Sequence, residues 1–144
     1  MSVIYFDSSA LVKLLIWEDG SELAEELWDD CDAAVSSRLA YPEVCAALAA
    51  AERNNSIARR DISDAATAWE MYWGAMRLIE LNAEVAKNAG ALARNLMLRG
   101  ADSVHLASAL AVELDDLVVA VWDRQLHAAS LSAGLRVAPA SISA

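Results

Sequence analysis

Four acidic residues stand at points of the chain where their side chains could act together on a phosphate group. Asp7 follows a short apolar run near the N-terminus, and Asp123 follows a second apolar run. Glu43 and Asp102 each stand at the start of a predicted helix. In α/β proteins, ligands bind beyond the carboxyl ends of parallel strands, where such points can meet in one crevice. An all-oxygen pocket suits Mg²⁺ or Mn²⁺, which predicts metal-dependent chemistry on phosphate.

Each of these acids also has an ordinary explanation at the start of a helix. An aspartate there accepts a backbone N–H and lies at the positive end of the helix dipole, so Asp102 and Asp123 are each expected to cap a helix. Glu43 in a first turn is equally ordinary. The helix-cap explanation is weaker for Asp7, because either of the two serines that follow it could cap the next helix. Taken together, the four acids indicate a metal site more strongly than any one of them does, since burying several carboxylates together requires a cation.

The other residues capable of chemistry are predicted to have structural roles. His105 lies on an apolar helix face three residues after Asp102, and we expect a core histidine, or one that supports a ligand, rather than a metal ligand. His127 on the last helix is expected to be exposed. Trp69 and Trp73 share a helix face and are expected in the core or at a partner surface. The sequence contains no dinucleotide-binding, P-loop or nucleophile-elbow motif.

Length and composition indicate one domain that spans residues 1–144. Hydrophobic residues make up 57% of the chain, yet no apolar stretch approaches the length that spans a bilayer. The lack of a signal peptide, and two cysteines without metal spacing, predict a cytoplasmic protein without membrane contact. The net charge of −10 argues against nucleic-acid binding, but eight acids lie between residues 18 and 32 and indicate a solvated helix face. The total charge therefore says little about the pocket.

Short apolar runs alternate with helical patterns along the chain. Strands are predicted at residues 3–6, 33–36, 77–81, 117–121 and 135–138, with helices between them. Strands that alternate with helices imply a parallel sheet covered on both faces. The predicted fold class is α/β, as a three-layer α/β/α sandwich with a short, mostly parallel central sheet.

Four segments of the chain resemble the PIN-domain ribonucleases, and in particular the VapC toxins of toxin–antitoxin pairs. They are residues 4–14 (IYFDSSALVKL), 41–44 (YPEV), 101–109 (ADSVHLASA) and 118–126 (VVAVWDRQL). The segments follow the order and spacing of the family, and each carries one of the four acids. The resemblance covers essentially the whole chain and implies a PIN-like nuclease domain.

The resemblance implies an Mg²⁺- or Mn²⁺-dependent endoribonuclease that hydrolyses RNA as the toxin of a toxin–antitoxin pair. Asp7 and Asp102 would hold the metal most directly, with Glu43 and Asp123 completing the acid ring, partly through water. The metal would polarise the phosphoryl oxygen and acidify an attacking water, leaving a 5′-phosphate and a 3′-hydroxyl. The resemblance also implies a homodimer and a cognate antitoxin that blocks the pocket. An antitoxin arginine that reaches the carboxylates would suit the negative site.

One position departs from the family pattern and keeps two alternatives open. Family members often carry Thr or Ser two residues before the fourth acid, where this chain has Val121, so a hydroxyl that would support a metal-bound water is absent. The first alternative is therefore a PIN-fold binding module with an idle metal site. The second is a metal-dependent nuclease or phosphatase acting on DNA or on small phosphoesters, because the choice of RNA rests on the resemblance alone.

Overall fold

The computed structural model describes residues 1–142, apart from the side chains at positions 59 and 60, and strands alternate with helices along the chain. The elements are β1 (Val3–Phe6), α1 (Ser8–Lys13), α2 (Ser21–Asp30), β2 (Ala33–Ser37), α3 (Ala40–Arg53), α4 (Arg59–Ala75), β3 (Arg77–Ile79), α5 (Ala83–Leu96), α6 (Gly100–Ala111), β4 (Val118–Ala120), α7 (Arg124–Ser132) and β5 (Arg136–Ala138). All the predicted strands are present, although β3 and β4 are limited to three residues each.

The strands of the described residues form one parallel sheet in the order β3–β2–β1–β4–β5. The chain first moves outward from β1 to β3 and then returns to β4 on the other side of β1. The strand order therefore reverses between β1 and β4, and such a switch point opens a crevice at the carboxyl ends of both strands. Asp7 follows β1 and Asp123 lies just beyond β4, so the topology places both acids at that crevice.

Helices cover both faces of the sheet, which confirms the predicted three-layer α/β/α sandwich. Successive side chains of a strand point to opposite faces, and β1 sends Phe6 into one core with Leu11 of α1 and Val44 of α3. The neighbouring Tyr5 enters the second core, together with Leu106 of α6. Because both faces are buried, β1 is apolar at every position.

The acidic run at residues 18–32 lies at the surface, as predicted. All eight acids of the run are exposed, and most of them belong to α2 or flank it. Their charge is therefore solvated and does not contribute to the crevice at β1 and β4. Within residues 1–142, no helix combines the length and the apolar character needed to cross a bilayer. Cys31 and Cys45 are both free thiols.

Gly20 allows the loop before α2 to pack against the residue that precedes Asp123. Gly20 has a φ of +95°, a left-handed conformation that favours glycine. A Cβ built on Gly20 would lie 2.7 Å from Nε1 of Trp122, and Nζ of Lys13 lies 5.4 Å from the centroid of the same indole. Trp122 is thus enclosed by this loop and by α1, which holds the segment that carries Asp123.

Gly20→Ala should destabilise the protein. A left-handed backbone costs a residue other than glycine about 1–2 kcal/mol, and the contact of the new Cβ with Trp122 adds to this cost. In a domain of this size, the loss lowers the Tm by about 3–6 °C, which a thermal scan measures. Gly90→Ala is the matched control, because a Cβ on this glycine within α5 meets nothing within 4 Å and should stabilise the helix by about 0.5–1 kcal/mol. An unchanged Tm for Gly20→Ala would contradict the packing role.

Candidate active site

Asp7 is a buried carboxylate at the carboxyl end of β1. The residue is 4% exposed, and its Oδ1 accepts hydrogen bonds from Ala10 N at 3.0 Å and from Ser9 Oγ at 2.6 Å. Asp7 is therefore itself the N-cap of α1, and the prediction that a following serine would cap this helix is wrong. The reason is geometric, because Asp7 has the extended backbone of an N-cap while both serines already lie inside the helix.

Burial raises the pKa of Asp7 above its ordinary value. Its hydrogen bonds with Ser9 and Ala10 and the influence of His105 oppose this rise, whereas the negative charge of Asp123 adds to it. A buried carboxylate without a full counter-charge is costly. The pocket around Asp7 therefore favours the presence of a cation.

Ser9 joins the ends of β1 and β4 across the switch point. Its hydroxyl donates to Asp7 Oδ1 and accepts a hydrogen bond from the backbone N–H of Trp122 at 3.0 Å. Because Trp122 immediately precedes Asp123, this bond holds the segments of the two acids side by side. Val121, where the family resemblance led us to look for a hydroxyl, is fully buried in the core. Ser9 nevertheless supplies a hydroxyl to the crevice.

Arg99 joins the third and fourth acids. Its Nε donates to Asp102 Oδ2 at 3.0 Å, and its Nη2 donates to Asp123 Oδ2 at 3.2 Å. Asp123 caps α7 as predicted, with Oδ1 accepting a hydrogen bond from Leu126 N at 2.9 Å. The predicted cap at Asp102 is wrong, because α6 begins at Gly100 and Arg99 occupies the N-cap position. The carboxylate of Asp102 lies within the first turn, where it faces Arg99 instead of capping the backbone.

Glu43 is held by a chain of side chains that leads into the core. Its Oε1 accepts a hydrogen bond from Ser8 Oγ at 2.6 Å and lies 2.6 Å from Nε2 of His105. The Nδ1 of His105 lies 2.8 Å from the hydroxyl of Tyr5. Burial, reinforced by nearby acids, raises the pKa of Tyr5 well above its usual value, so the phenol keeps its proton. Because a carboxylate only accepts hydrogen bonds, Nε2 of His105 is the donor to Glu43.

The partners of Glu43 lower its pKa by more than burial raises it. Burial alone raises the pKa of Glu43, whereas the hydrogen bond and electrostatic influence of His105, the hydroxyl of Ser8 and the charge of Arg99 lower it. The net result is a pKa below the ordinary value, so Glu43 is ionised at neutral pH. The site thus contains a poorly compensated carboxylate at Asp7 and a well compensated one at Glu43. Such contrasts are typical of functional sites.

These contacts bring the four predicted acids to the carboxyl end of the sheet. The serines that follow Asp7 contact Glu43 and the segment of Asp123, while Arg99 spans Asp123 and Asp102. Among the residues that the structure describes, no group of three or more His, Cys, Asp or Glu side chains is placed to hold one metal ion. Arg99 brings a positive charge to both Asp102 and Asp123.

A family model described as the PIN domain matches residues 4–129 of the chain. This span includes all four acids and the strands and helices that position them. The chain belongs to the PIN-domain family. The PIN fold therefore accounts for the parallel sheet, for the switch point between β1 and β4, and for the position of the acids beside it.

Two PIN-domain relatives are similar to this chain over their full length. Ribonuclease VapC45 of Mycobacterium tuberculosis strain CDC 1551 and Ribonuclease VapC49 of M. tuberculosis strain H37Rv are each 61% identical to it over 142 residues. Each alignment covers 99% of this chain and 99% of the relative. This identity places the chain among the VapC-type members of the PIN-domain family, as the resemblance predicted.

Solved PIN-domain structures agree in fold. A toxin–antitoxin complex from Klebsiella pneumoniae aligns with a TM-score of 0.68 at 17% identity, covering 97% of this chain and 99% of that chain. The sarcin-ricin loop cleaving toxin VapC20 of M. tuberculosis aligns with a TM-score of 0.64 at 18% identity, covering 88% of this chain and 94% of that chain. At such low identity the likeness is one of fold.

Four residues that support the acids of this PIN domain were not predicted to do so, and they are Tyr5, Ser8, Ser9 and Arg99. Tyr5 contacts a histidine 100 positions away, a pairing that no local pattern contains. Arg99 has a local signal, because it lies three residues before Asp102 at the start of a helix, a spacing at which side chains can meet. Ser9 carries no comparable signal, since a serine at this point equally fits a helix cap.

Further predictions concern the exposure of His127, His105 and Trp69. His127 is 7% exposed, and its Nε2 lies 2.8 Å from the carbonyl oxygen of Pro139, so its predicted exposure is wrong. The segment after β5 contacts this residue of α7, a long-range contact that the helical pattern does not reveal. His105 is 3% exposed and Trp69 is 1% exposed, which confirms that both belong to the interior.

Asp7→Asn should raise the stability of the metal-free protein at neutral pH. Asparagine caps a helix as well as aspartate does and keeps an acceptor for Ala10, while it removes a buried charge. Because the pKa of Asp7 is raised in the folded state, ionisation of Asp7 opposes folding as the pH rises through that pKa. The higher Tm of the variant at neutral pH should therefore vanish at about pH 4, near the ordinary pKa of an aspartate. Thermal scans in EDTA at both pH values measure this difference.

Asp123→Asn is the matched control for this experiment. Asp123 is also an N-cap, but it is partly exposed and shares an ion pair with Arg99. Asparagine there removes the ion pair and should not raise the Tm. A lower Tm for Asp7→Asn at neutral pH would contradict the incomplete compensation of the charge on Asp7.

Proposed function

We propose that this protein is an endoribonuclease that hydrolyses RNA phosphodiester bonds with Mg²⁺ or Mn²⁺, and that it is the toxin of a toxin–antitoxin pair. The observation that carries the proposal is the grouping of four acids at the ends of β1 and β4 in a chain 61% identical to two proteins named as ribonucleases. The acids support metal-assisted chemistry on phosphate, and the relatives support RNA as the substrate.

The donor set at the crevice fits a hard divalent cation. The available ligands are carboxylate oxygens, which Mg²⁺ and Mn²⁺ prefer, and the raised pKa of buried Asp7 indicates that a positive charge is favoured there. Asp7 and Asp102 would hold the cation most directly, with Glu43 and Asp123 contributing partly through water. When bound, such a cation supplies Lewis acidity that polarises the phosphoryl oxygen and acidifies the attacking water.

Other residues of the chain would orient the reacting groups. Ser8 and His105 fix the ionised Glu43, which can order the attacking water and take up its proton. Ser9 fixes the orientation of Asp7 by its hydrogen bond. In the hydrolysis, the water oxygen forms a bond to phosphorus and the bond from phosphorus to the 3′ oxygen breaks. The products are a 5′-phosphate and a 3′-hydroxyl, and no side-chain nucleophile takes part.

A binding module with an idle site is the second candidate function. The observations that favour it are the full burial of Val121 in the core and the absence, among residues 1–142, of three side chains already placed around one ion. Against it, Ser9 provides a hydroxyl at the crevice and Glu43 is held in its ionised form. Cleavage assays separate the two candidates, because an idle module binds RNA or protein partners without breaking a phosphodiester bond.

We also propose that the protein forms a homodimer and is inhibited by a cognate antitoxin. A toxin–antitoxin complex is among the solved structures that share this fold, which supports an antitoxin as partner. The ionised Glu43 and the pair Asp102 and Asp123 make the crevice suited to a basic inhibitor. An antitoxin arginine directed at these carboxylates would block the same groups that catalysis requires.

Asp102→Asn should lower the rate of RNA cleavage by at least about 100-fold, because the amide keeps the shape of the side chain and removes the ligand charge. The assay measures cleavage of an RNA and of a DNA of the same sequence, in Mg²⁺, in Mn²⁺ and in EDTA. Wild-type protein should cleave the RNA only when metal is present.

Asp19→Asn is the matched control, because it makes the same chemical change in the exposed acidic run and should leave the rate unaltered. Cleavage by Asp102→Asn at the wild-type rate would show that the site is misassigned. Metal binding without cleavage of any RNA would favour the idle module. Equal cleavage of the DNA would favour a nuclease without preference for RNA.

A further inference from the structure

Arg99 bridges two acids of the crevice with both branches of its guanidinium. The Nε to Asp102 Oδ2 distance is 3.0 Å and the Nη2 to Asp123 Oδ2 distance is 3.2 Å. The charge of Glu43 also acts on this guanidinium, since all three acids raise the pKa of Arg99. Arg99 thus acts as the cation of this part of the site in the arrangement described here.

The bridge is formed by an exposed side chain on an anchored segment of backbone. The side chain of Arg99 is 70% exposed, whereas those of Asp102 and Asp123 are 11% and 31% exposed. Its backbone is anchored on both sides, because the carbonyl of Arg99 accepts a hydrogen bond from Ser103 N at 3.0 Å and the preceding Leu98 is buried. Exposed ion pairs of this kind are weak and screened by salt, so the guanidinium can leave the acids while α6 stays in place.

A divalent cation and Arg99 would draw on the same two carboxylates. A metal held by Asp102, with Asp123 completing the ring, would place two positive groups against one pair of carboxylates, and like charges at such distances repel. Metal binding on these acids is therefore expected to compete with the bridge.

We propose that Arg99 is an exchangeable counter-cation of the acid site, which holds Asp102 and Asp123 in the metal-free protein and must be displaced when a divalent metal binds. This inference rests on the proposed metal site and deepens it, because it assigns a competitor for the metal within the chain itself. A bridge that is closed for about nine-tenths of the time weakens the apparent affinity for metal about tenfold.

Calorimetric titration of Mg²⁺ and of Mn²⁺ into metal-free protein tests the competition. Arg99→Gln removes the charge and keeps a long polar side chain, so its Kd for metal should be about tenfold lower than that of the wild type. Arg38→Gln is the matched control, since Arg38 also forms a two-branched ion pair, at 2.7 and 2.8 Å from Glu80 and away from the four acids. This control makes the same change in net charge and should leave the Kd unaltered.

A second measurement uses the wild-type protein and does not depend on the folding of the variant. The Nε–Hε signal of Arg99 in a ¹⁵N spectrum is assigned by its loss in Arg99→Gln or, if that variant is unfolded, in Arg99→Lys. The signal should move towards the position of a free arginine as Mg²⁺ is added, with a midpoint at the calorimetric Kd. A signal that stays in place at saturating Mg²⁺ would overturn the proposal.

The remaining outcomes separate this inference from the proposed function. Equal Kd values for wild type and Arg99→Gln would leave the metal site standing and overturn the role of Arg99. A higher Kd in Arg99→Gln would also overturn it, because the arginine would then help to organise the metal ligands. If neither protein binds metal at millimolar concentration, the proposed metal site fails and the exchange fails with it.

Discussion

Carboxylates gathered at one end of a sheet repel one another, and the arrangement at the switch point depends on how this repulsion is offset. Asp102 and Asp123 share one guanidinium, and Glu43 has His105 as its donor. Asp7, which lies deepest, receives hydrogen bonds but no direct ion pair among the contacts described, and its pKa is raised by burial. The protein therefore balances three of its acids internally and leaves one that a cation would stabilise. This imbalance is the physical argument for the proposed metal site.

The position of these charges follows from the register of one strand. Tyr5 pairs with Val119 and Phe6 with Ala120, so that successive side chains of β1 enter opposite cores. A slip by one residue would move Tyr5 to the other face and break its hydrogen bond with His105, because side chains alternate along a strand. The orientation of the histidine that holds Glu43 therefore depends on the packing of the core. Catalytic geometry and core packing are here set by the same strand pairing.

The sequence could predict the strands, the layered fold and the four acids, because these depend on local patterns and on a family resemblance. The pattern could not decide which atom caps each helix, since Asp7 and the serines after it are all suitable, and the structure alone shows that Asp7 has the N-cap backbone. It could not reveal the role of Tyr5 either, because its partner is 100 positions away. The burial of His127 beneath the segment after β5 is equally a property of the tertiary fold. The metal and the substrate remain proposals, since carboxylate chemistry and similarity indicate them without a bound ligand.

Competition between cations connects the proposed catalysis with the proposed inhibition. A divalent metal, the guanidinium of Arg99 and a basic residue of an antitoxin would all be attracted to Asp102 and Asp123, and only differences between their affinities determine which one binds. Because the guanidinium of Arg99 is largely exposed, salt screens its bridge to the two acids. An inhibitor that brings its own arginine would therefore meet carboxylates that already have a counter-cation. It would have to replace that internal contact with a stronger one, so charge alone would not decide the outcome.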